Sequence, residues 1–191
     1  MHKIISYCSF PRRVCDAQLV DIYREKGISY PKFFKMDNLS RTGFLAAEEA
    51  LSKAGLRNED PKTDMSVVLV NSTSSTCDDV AFQTGLASDN YFPSPSLFVY
   101  TLSNIVCGEI AIRNKILGET SFYIDEKPSA EALASYVEWA FADKKINRVL
   151  CGWIESYKGD SPVAMMLVER DSGEGIDFTV ENIEKIILND N

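Results

Sequence analysis

The sequence predicts an α/β layered fold with a mixed, mainly parallel sheet that carries helices on both faces. Segments with strand-like and helix-like patterns alternate along the chain, which is typical of a parallel core sheet. The run at 65–73 is continuously apolar, as in a strand buried on both sides. Only a few residues separate the strand-like segments 148–156 and 161–170, so these are expected to form a hairpin that makes the sheet mixed.

The other predicted elements follow in chain order. The segments 3–10 and 120–125 are rich in β-branched and aromatic residues and are predicted to be strands. The segment 11–38 is expected to be irregular or partly helical, and 90–102 to be a loop broken by prolines. The spacing of apolar residues and the flanking cap residues predict helices at 40–56, 77–87, 103–117, 128–145 and 179–188.

Three local signals refine these helices. Ser40 is expected to cap the N-terminus of the helix at 40–56, and Gly55 is expected to end it. Gly108 lies inside the helix at 103–117. A glycine in that position indicates close packing against another backbone.

Length and charge limit the classes of function. The 191 residues suffice for one domain with a sizeable core, so a single domain spanning 1–191 is expected. The formal net charge of −8 disfavours unaided binding to nucleic acid or to an anionic membrane, because both need a basic surface. The N-terminal apolar run is too short for a signal peptide and no stretch reaches transmembrane length, so the expected location is the cytoplasm.

The cysteines and the histidine limit the chemistry. The cysteines are scattered, include no C-x-x-C pair and are predicted to be buried reduced thiols: Cys8, Cys15, Cys77, Cys107 and Cys151. The only histidine is His2. A Ser-His-Asp or Cys-His relay therefore has no internal histidine as its base.

Several segments match, in order, the patterns of one enzyme family. The most specific block begins at Ser94 and reads SPSLFVYTLSNIVCGEIAIRNKILGETSFYI. It resembles the family stretch S-P-x-x-V-x-x-x-x-x-N-x-x-x-G-x-x-A-I followed by L-x-G-P-S. Before it stands FFKMD with an alanine-rich helix, and after it come RVLCGWIES and SPVAMMLVER. Over nearly the whole chain this order resembles the N-terminal half of a β-ketoacyl-ACP synthase, a condensing enzyme of the thiolase fold.

The family's nucleophile motif differs here. Aligned without gaps from Ser94, the motif T-A-C-[AST]-S-G falls on DEKPSA at 125–130. Lys127 then stands at the position of the catalytic cysteine, and Ser129 keeps the serine of the motif. Lysine cannot carry a thioester, and the C-terminal half that supplies both catalytic histidines of the family is absent from these residues. The resemblance therefore implies a catalytically inactive subunit.

The resemblance also implies a partner. Condensing enzymes of this fold are dimers in which the strand before the nucleophile pairs with its twofold mate. Here the residues of that strand are Thr120, Ser121, Phe122, Tyr123, Ile124 and Asp125. The expected function is that of a chain-length factor, which pairs with a complete ketosynthase and shapes its acyl or polyketide tunnel. Acyl carrier protein would then be an indirect partner.

One residue is a candidate for shaping the tunnel. In the family, the residue aligned with Leu97 lies beside the dimer interface and reaches toward the acyl tunnel of the opposite subunit. Leu97 is therefore the candidate for limiting chain length, with Phe98 beside it in the interface. Packing at the interface is the simpler interpretation of Leu97.

Other interpretations stay open. One alternative is an acyl hydrolase or transferase that acts through Ser129 or a cysteine, and another is a stand-alone homodimeric acyl-binding protein. A Schiff base on Lys127 would need a dry pocket, which the adjacent acids do not favour. Asp78 and Asp79 lack a third metal ligand at a suitable spacing, and the loop at 71–79 lacks the glycine and lysine of a phosphate-binding loop. No cofactor and no metal are expected.

Overall fold

Six strands form a single sheet. The computed structural model describes residues 1–10, 15–56, 58–86 and 92–188. The strands are β1 (Lys3–Phe10), β2 (Met65–Asn71), β3 (Thr120–Ile124), β4 (Arg148–Ile154), β5 (Val163–Glu169) and β6 (Ile176–Asp177). Their order across the sheet is β3-β2-β4-β5-β1-β6.

The strand directions confirm a mixed, mainly parallel sheet. β2 runs parallel to both of its neighbours, β3 and β4. β5 is antiparallel to β4 and to β1, and β6 is antiparallel to β1. The strands β1 to β4 therefore all point the same way. The short link at 157–160 turns β4 directly into β5, with Ile154 opposite Val163, which is the predicted hairpin.

Helices cover both faces of this sheet, as predicted. They are α1 (Asp16–Glu25), α2 (Asn38–Lys53), α3 (Thr76–Thr84), α4 (Pro95–Tyr100), α5 (Ile105–Asn114), α6 (Ala130–Phe141) and α7 (Val180–Ile187). α2 and α5 pack on one face, and α6 and α7 pack on the other. None of the described helices is long and apolar enough to cross a membrane.

The apolar run of β2 follows from this layering. Val67 and Leu69 point into the core under α2 and α5, whereas Val68 and Val70 point into the core under α6 and α7. Every residue of β2 is buried. Because successive side chains point to opposite faces, a strand between two helix layers is apolar at successive positions, as in Val67–Val70. Each such side chain stabilises the fold by about 1.5–3 kcal/mol.

The segment predicted to be irregular or partly helical packs as a cap on α2. It contains α1 and a short 3-10 turn at Pro31–Lys35, while its first residues, 11–14, lie outside the described residues. Leu19, Phe33 and Phe44 are fully or almost fully buried there. The Tyr23 ring stacks on Phe33 with the ring centroids 4.4 Å apart.

Two predicted features of the helix termini are wrong. α2 is capped by Asp37, whose carboxylate accepts hydrogen bonds from the N–H groups of Leu39 at 3.0 Å and Ser40 at 3.2 Å. Ser40 is instead buried inside the helix, whereas Gly55 ends it as predicted, at a φ of 71°. Part of the predicted loop at 90–102 is the helix α4, which starts at a proline behind the capping residue Ser94. Residues 90 and 91 lie outside the described residues.

The predicted close approach at Gly108 is also wrong. A methyl group added at Gly108 would meet no atom within 4 Å. The close contact between α5 and α2 is made at Gly43, where an added Cβ would lie 2.6 Å from the Val106 side chain. The glycine that lets these helices approach therefore lies on α2.

Candidate functional site

The corner between β3 and α6 holds the position of the family's nucleophile. β3 ends at Ile124 and α6 begins at Ala130. Lys127 lies in a bend between them and is exposed to solvent. Its ammonium forms no ion pair with the described residues, and it does not line a dry pocket of the kind that a Schiff-base lysine needs.

Ser129 caps helix α6. Its hydroxyl oxygen accepts a hydrogen bond from the Ala132 N–H at 3.2 Å, and the hydroxyl lies 3.1 Å from a carboxylate oxygen of Glu131. This is the usual arrangement of a helix N-cap. No histidine is available to activate the hydroxyl, because the chain's one histidine lies elsewhere.

His2 lies at the other end of α6. Its ring stacks on Phe141, the last residue of that helix, with centroids 4.3 Å apart. Its Nε2 atom is 3.6 Å from the Glu138 carboxylate. A helix of this length spans about 18 Å, so the imidazole is far from Ser129 and Lys127.

The cysteines fall into two groups. Cys8, Cys107 and Cys151 are buried, and desolvation raises the pKa of each thiol, that of Cys107 to about 12. These thiols are inert at neutral pH, since the thiolate is the nucleophile. Cys15 and Cys77 are exposed, so the prediction of burial is wrong for these two. They stand at the starts of α1 and α3, outside the apolar core.

The loop between β2 and α3 is organised around a carboxylate. Glu155, at the end of β4, is buried and accepts hydrogen bonds from the backbone N–H of Ser72 at 3.0 Å and from its hydroxyl at 2.6 Å. The Thr73 hydroxyl also donates to Glu155. The Ser74 N–H donates to the Asn71 side chain at 2.9 Å. An internal carboxylate thus occupies the donors that a phosphate would use.

Sequence reasoning did not assign this role to Glu155. The only signal was its position in the segment RVLCGWIES, directly after a buried strand. Its partners come from a loop more than eighty residues earlier, so spacing along the chain could not identify them.

A second acidic contact joins α2 to α3. The Asp78 side chain interacts electrostatically with the carboxylate of Asp37, the residue that caps α2. Burial and the neighbouring Asp37 charge raise the pKa of Asp78 to about 7. The third ligand that a metal site at Asp78 and Asp79 would need is not found among the described residues.

A cleft of about 720 Å³ opens beside the corner between β3 and α6. Pro128, Ser72 and Glu155 line one side of it, and Trp153 and Ile186 contribute apolar surface. Its volume is within the range of small-molecule sites. The cleft is called the α7 cleft below, because the end of α7 forms part of its wall.

β3 is the edge strand of the sheet. It pairs with β2 on one side, and no described strand pairs with its other side. Phe122 packs into the core under α5, Tyr123 packs toward α6, and Ile124 is 56% exposed. An uncovered edge with an exposed apolar residue is a template for pairing with another chain.

An apolar surface lies on helices α3 and α4, called the α3–α4 surface here. Leu97, Phe98 and Leu102 are exposed on or next to α4, and Val80 is exposed on α3. No residue of α3 is buried. The rings of Phe82 and Phe98 join the two helices, with centroids 5.6 Å apart. A contiguous apolar patch of this kind is typical of an interaction surface.

Comparison of the sequence with protein-family models gives no match, and comparison with curated proteins gives none either. Solved structures do match. The ishigamide ketosynthase/chain length factor has a TM-score of 0.68 at 14% identity, over 91% of this chain and 63% of that chain. The ketosynthase ApeO in complex with its chain length factor ApeC, from Xenorhabdus doucetiae, matches with a TM-score of 0.61 at 10% identity. The match covers 97% of this chain and 89% of that chain. AntDE:AntF, a type II polyketide synthase acyl-carrier protein in complex with its ketosynthase, matches with a TM-score of 0.63 at 13% identity. The match covers 89% of this chain and 62% of that chain.

These likenesses define the class of fold. The chain has the α/β architecture of the thiolase-fold ketosynthases, as the sequence motifs predicted. The chain spans less than two thirds of the length of the ishigamide protein it matches. Two of the three neighbours are, in particular, assemblies of a ketosynthase with a chain length factor.

Proposed function

We propose that this protein is a non-catalytic, chain-length-factor-like subunit that pairs with a complete ketosynthase. The observation that carries the proposal is the uncovered β3 edge next to the corner of Lys127. Within the 191 residues, the nucleophile position is a solvent-exposed lysine and the buried thiols are held in their neutral form. The uncovered β3 edge and the lysine at the family's nucleophile position both support a pairing role for this chain.

The interface would combine two neighbouring surfaces. The β3 edge, Thr120–Ile124 and the following Asp125, supplies backbone groups for an antiparallel pair with a strand of the ketosynthase. The α3–α4 surface, with Leu97 and Phe98, supplies apolar area beside it. Large apolar surface of this kind is characteristic of obligate complexes. An acyl carrier protein would bind the assembled pair.

The test is co-expression with a ketosynthase from the same genome, followed by affinity purification and mass determination by light scattering. The expected species is a one-to-one complex. Ile124→Lys, which places a charge on the β3 edge, should weaken association at least about tenfold. Ile176→Lys is the matched control, because Ile176 is 41% exposed on the opposite edge strand and should leave association unchanged. A complex equally tolerant of both variants would contradict pairing through β3.

Phe122 and Tyr123 are poor test positions. Phe122 packs against the core, and the Tyr123 ring stacks on Tyr136 with centroids 3.9 Å apart. Charged substitutions there would unfold the subunit as well as split the pair. Ile124 avoids this ambiguity.

The α7 cleft favours a second candidate function, a homodimeric acyl-binding protein. Trp153, Val163 and Ile186 give the cleft apolar surface that an acyl chain could contact. This function would be supported if a fluorescent fatty acid binds the isolated chain and if the Ile186→Glu variant no longer binds it. Failure to bind it, together with capture of the ketosynthase, would leave the first proposal standing alone.

A further inference from the structure

A small groove lies between β3 and α6. It has a volume of about 240 Å³ and is called the aromatic groove here. The residues that line it include Ser66, Glu119, Tyr123, Tyr136 and Trp139. It opens on the face of the sheet that carries α6, and two of the residues that line it, Ser121 and Tyr123, belong to β3.

Three aromatic rings form its wall. Tyr123 and Tyr136 stack with an interplanar angle of 6°, and Trp139 lies against them with its centroid 5.3 Å from that of Tyr136. Trp139 is 62% exposed, whereas the chain's other tryptophan, Trp153, is 5% exposed. An indole ordered against two phenols but left open to solvent offers a π-face to a ligand.

Two carboxylates make this wall negative. The Tyr136 hydroxyl donates a hydrogen bond of 2.8 Å to Asp125, and this bond raises the pKa of Tyr136. A phenol that donates to a carboxylate has a more electron-rich ring, and Glu119 adds a second negative charge at the rim. Such a ring face attracts cations.

No cation among the described residues uses this attraction. Elsewhere in the described residues, guanidinium or ammonium groups lie over the rings of Phe33, Tyr30, Tyr157 and Phe141. None of the described lysines or arginines lies over the rings of the aromatic groove. The site is therefore electrostatically suited to a cation from outside the chain.

The floor of the groove contains an unused polar group. Ser66 is 1% exposed, and its hydroxyl has no hydrogen-bond partner in the described structure. A buried hydroxyl without a partner costs about 1–3 kcal/mol, so it normally marks a missing ligand or water.

We infer that the aromatic groove binds a small methylated ammonium ion, with Trp139 and Tyr136 facing the cation and Glu119 at the rim. The groove matches a trimethylammonium group better than a longer ligand, since it is smaller than the usual range of drug-sized sites. Recognition of such cations by aromatic rings is a general use of the cation–π interaction.

The test is a titration of the ¹⁵N-labelled chain with tetramethylammonium chloride, at constant ionic strength set with sodium chloride. The indole signals of Trp139 and Trp153 are followed together. The Trp139 signal should shift saturably, with a Kd on the order of 1–50 mM, while the Trp153 signal stays in place. The neutral molecule tert-butanol has the same shape, and it should bind at least about tenfold more weakly.

Three variants complete the test. Glu119→Gln removes the rim charge, and Tyr136→Phe removes the bond to Asp125 while keeping the ring; each should raise the Kd about two- to fivefold. Glu131→Gln removes a carboxylate from the same helix outside the groove and should change the Kd less than about twofold. Absence of a saturable Trp139 shift, or equal binding of tert-butanol, would overturn the inference.

Discussion

At the scale of single residues, the burial of Asp78 next to the Asp37 carboxylate makes stability depend on pH. Asp78 is protonated at a higher pH in the folded chain than in the unfolded chain, since its pKa is raised from 3.8 to about 7. A raised carboxyl pKa stabilises the fold at low pH, and this contribution is lost as the pH rises through about 7. Above that pH, two carboxylates face each other between α2 and α3.

Asp78→Asn should therefore raise the free energy of unfolding at both pH 5 and pH 8, and the gain should be larger at pH 8, because the loss begins above the unfolded-state pKa of 3.8 and is complete only above about 7. The gain at pH 8 should be about 1 kcal/mol, well below the full linkage value, because Asp78 is only partly buried and solvent screens its charge. Urea unfolding at the two pH values measures the difference. Asp21→Asn, at an exposed site on α1, serves as the control. An equal effect at both pH values would show that Asp78 and Asp37 do not share a proton.

Leu97 gives a second prediction at this scale. It is 38% exposed on α4 and so is free to contact a partner. If it projects into the tunnel of a ketosynthase, Leu97→Ala should lengthen the product of the reconstituted pair and Leu97→Trp should shorten it. Mass spectrometry of the acyl products measures both. Unchanged products from an intact complex would identify Leu97 as a packing residue alone.

At the scale of elements, two glycines provide a matched pair. A Cβ at Gly152 would lie 2.1 Å from the Ala164 carbonyl oxygen, between β4 and β5. Gly152→Ala should force these strands apart and destabilise the chain by roughly 2–4 kcal/mol. Gly108→Ala should stabilise it by about 0.5–1 kcal/mol, because alanine favours a helix and meets no neighbour. Thermal and urea unfolding of both variants measure the two effects. Similar effects at the two sites would show that Gly152 is not in close contact with β5.

α3 should be among the least protected helices of the isolated chain. None of its residues is buried, and α4 and Asp37 are its described contacts. Hydrogen exchange of its amides should be at least about 100-fold faster than in β2, which is buried throughout. Binding of the partner at the α3–α4 surface should slow this exchange. Protection of α3 equal to that of β2 in the isolated chain would contradict the description of α3 as loosely held.

The elements differ in how far sequence could predict them. The hairpin of β4 and β5 and the end of α2 at Gly55 follow from local signals, and both are confirmed. The predicted cap at Ser40 is wrong because Asp37, three residues earlier, offers a better acceptor. Contacts such as Glu155 with Ser72 join distant residues through the fold, so no local pattern contains them.

At the scale of the whole molecule, the chain alone should not be acylated. Intact mass measurement after incubation with acyl carrier protein thioesters, or with the cysteine-directed inhibitor cerulenin, should show no stoichiometric adduct on Lys127 or on a buried thiol. Cys15 and Cys77 are exposed, so the Cys15→Ser/Cys77→Ser double variant is the control for unspecific labelling. One adduct on a single residue that persists in this variant would contradict the non-catalytic role.

The position of β1 in the sheet has a consequence during translation. β1 leaves the ribosome before the other five strands of this sheet, yet its neighbours are β5 and β6, the last two of the six to be synthesised. At about 5–20 residues per second, the gap between them takes roughly 8–30 s. For that time the nascent chain carries an unpaired strand with buried-type residues such as Ile4 and Cys8. A chaperone would therefore meet this chain before its sheet is complete.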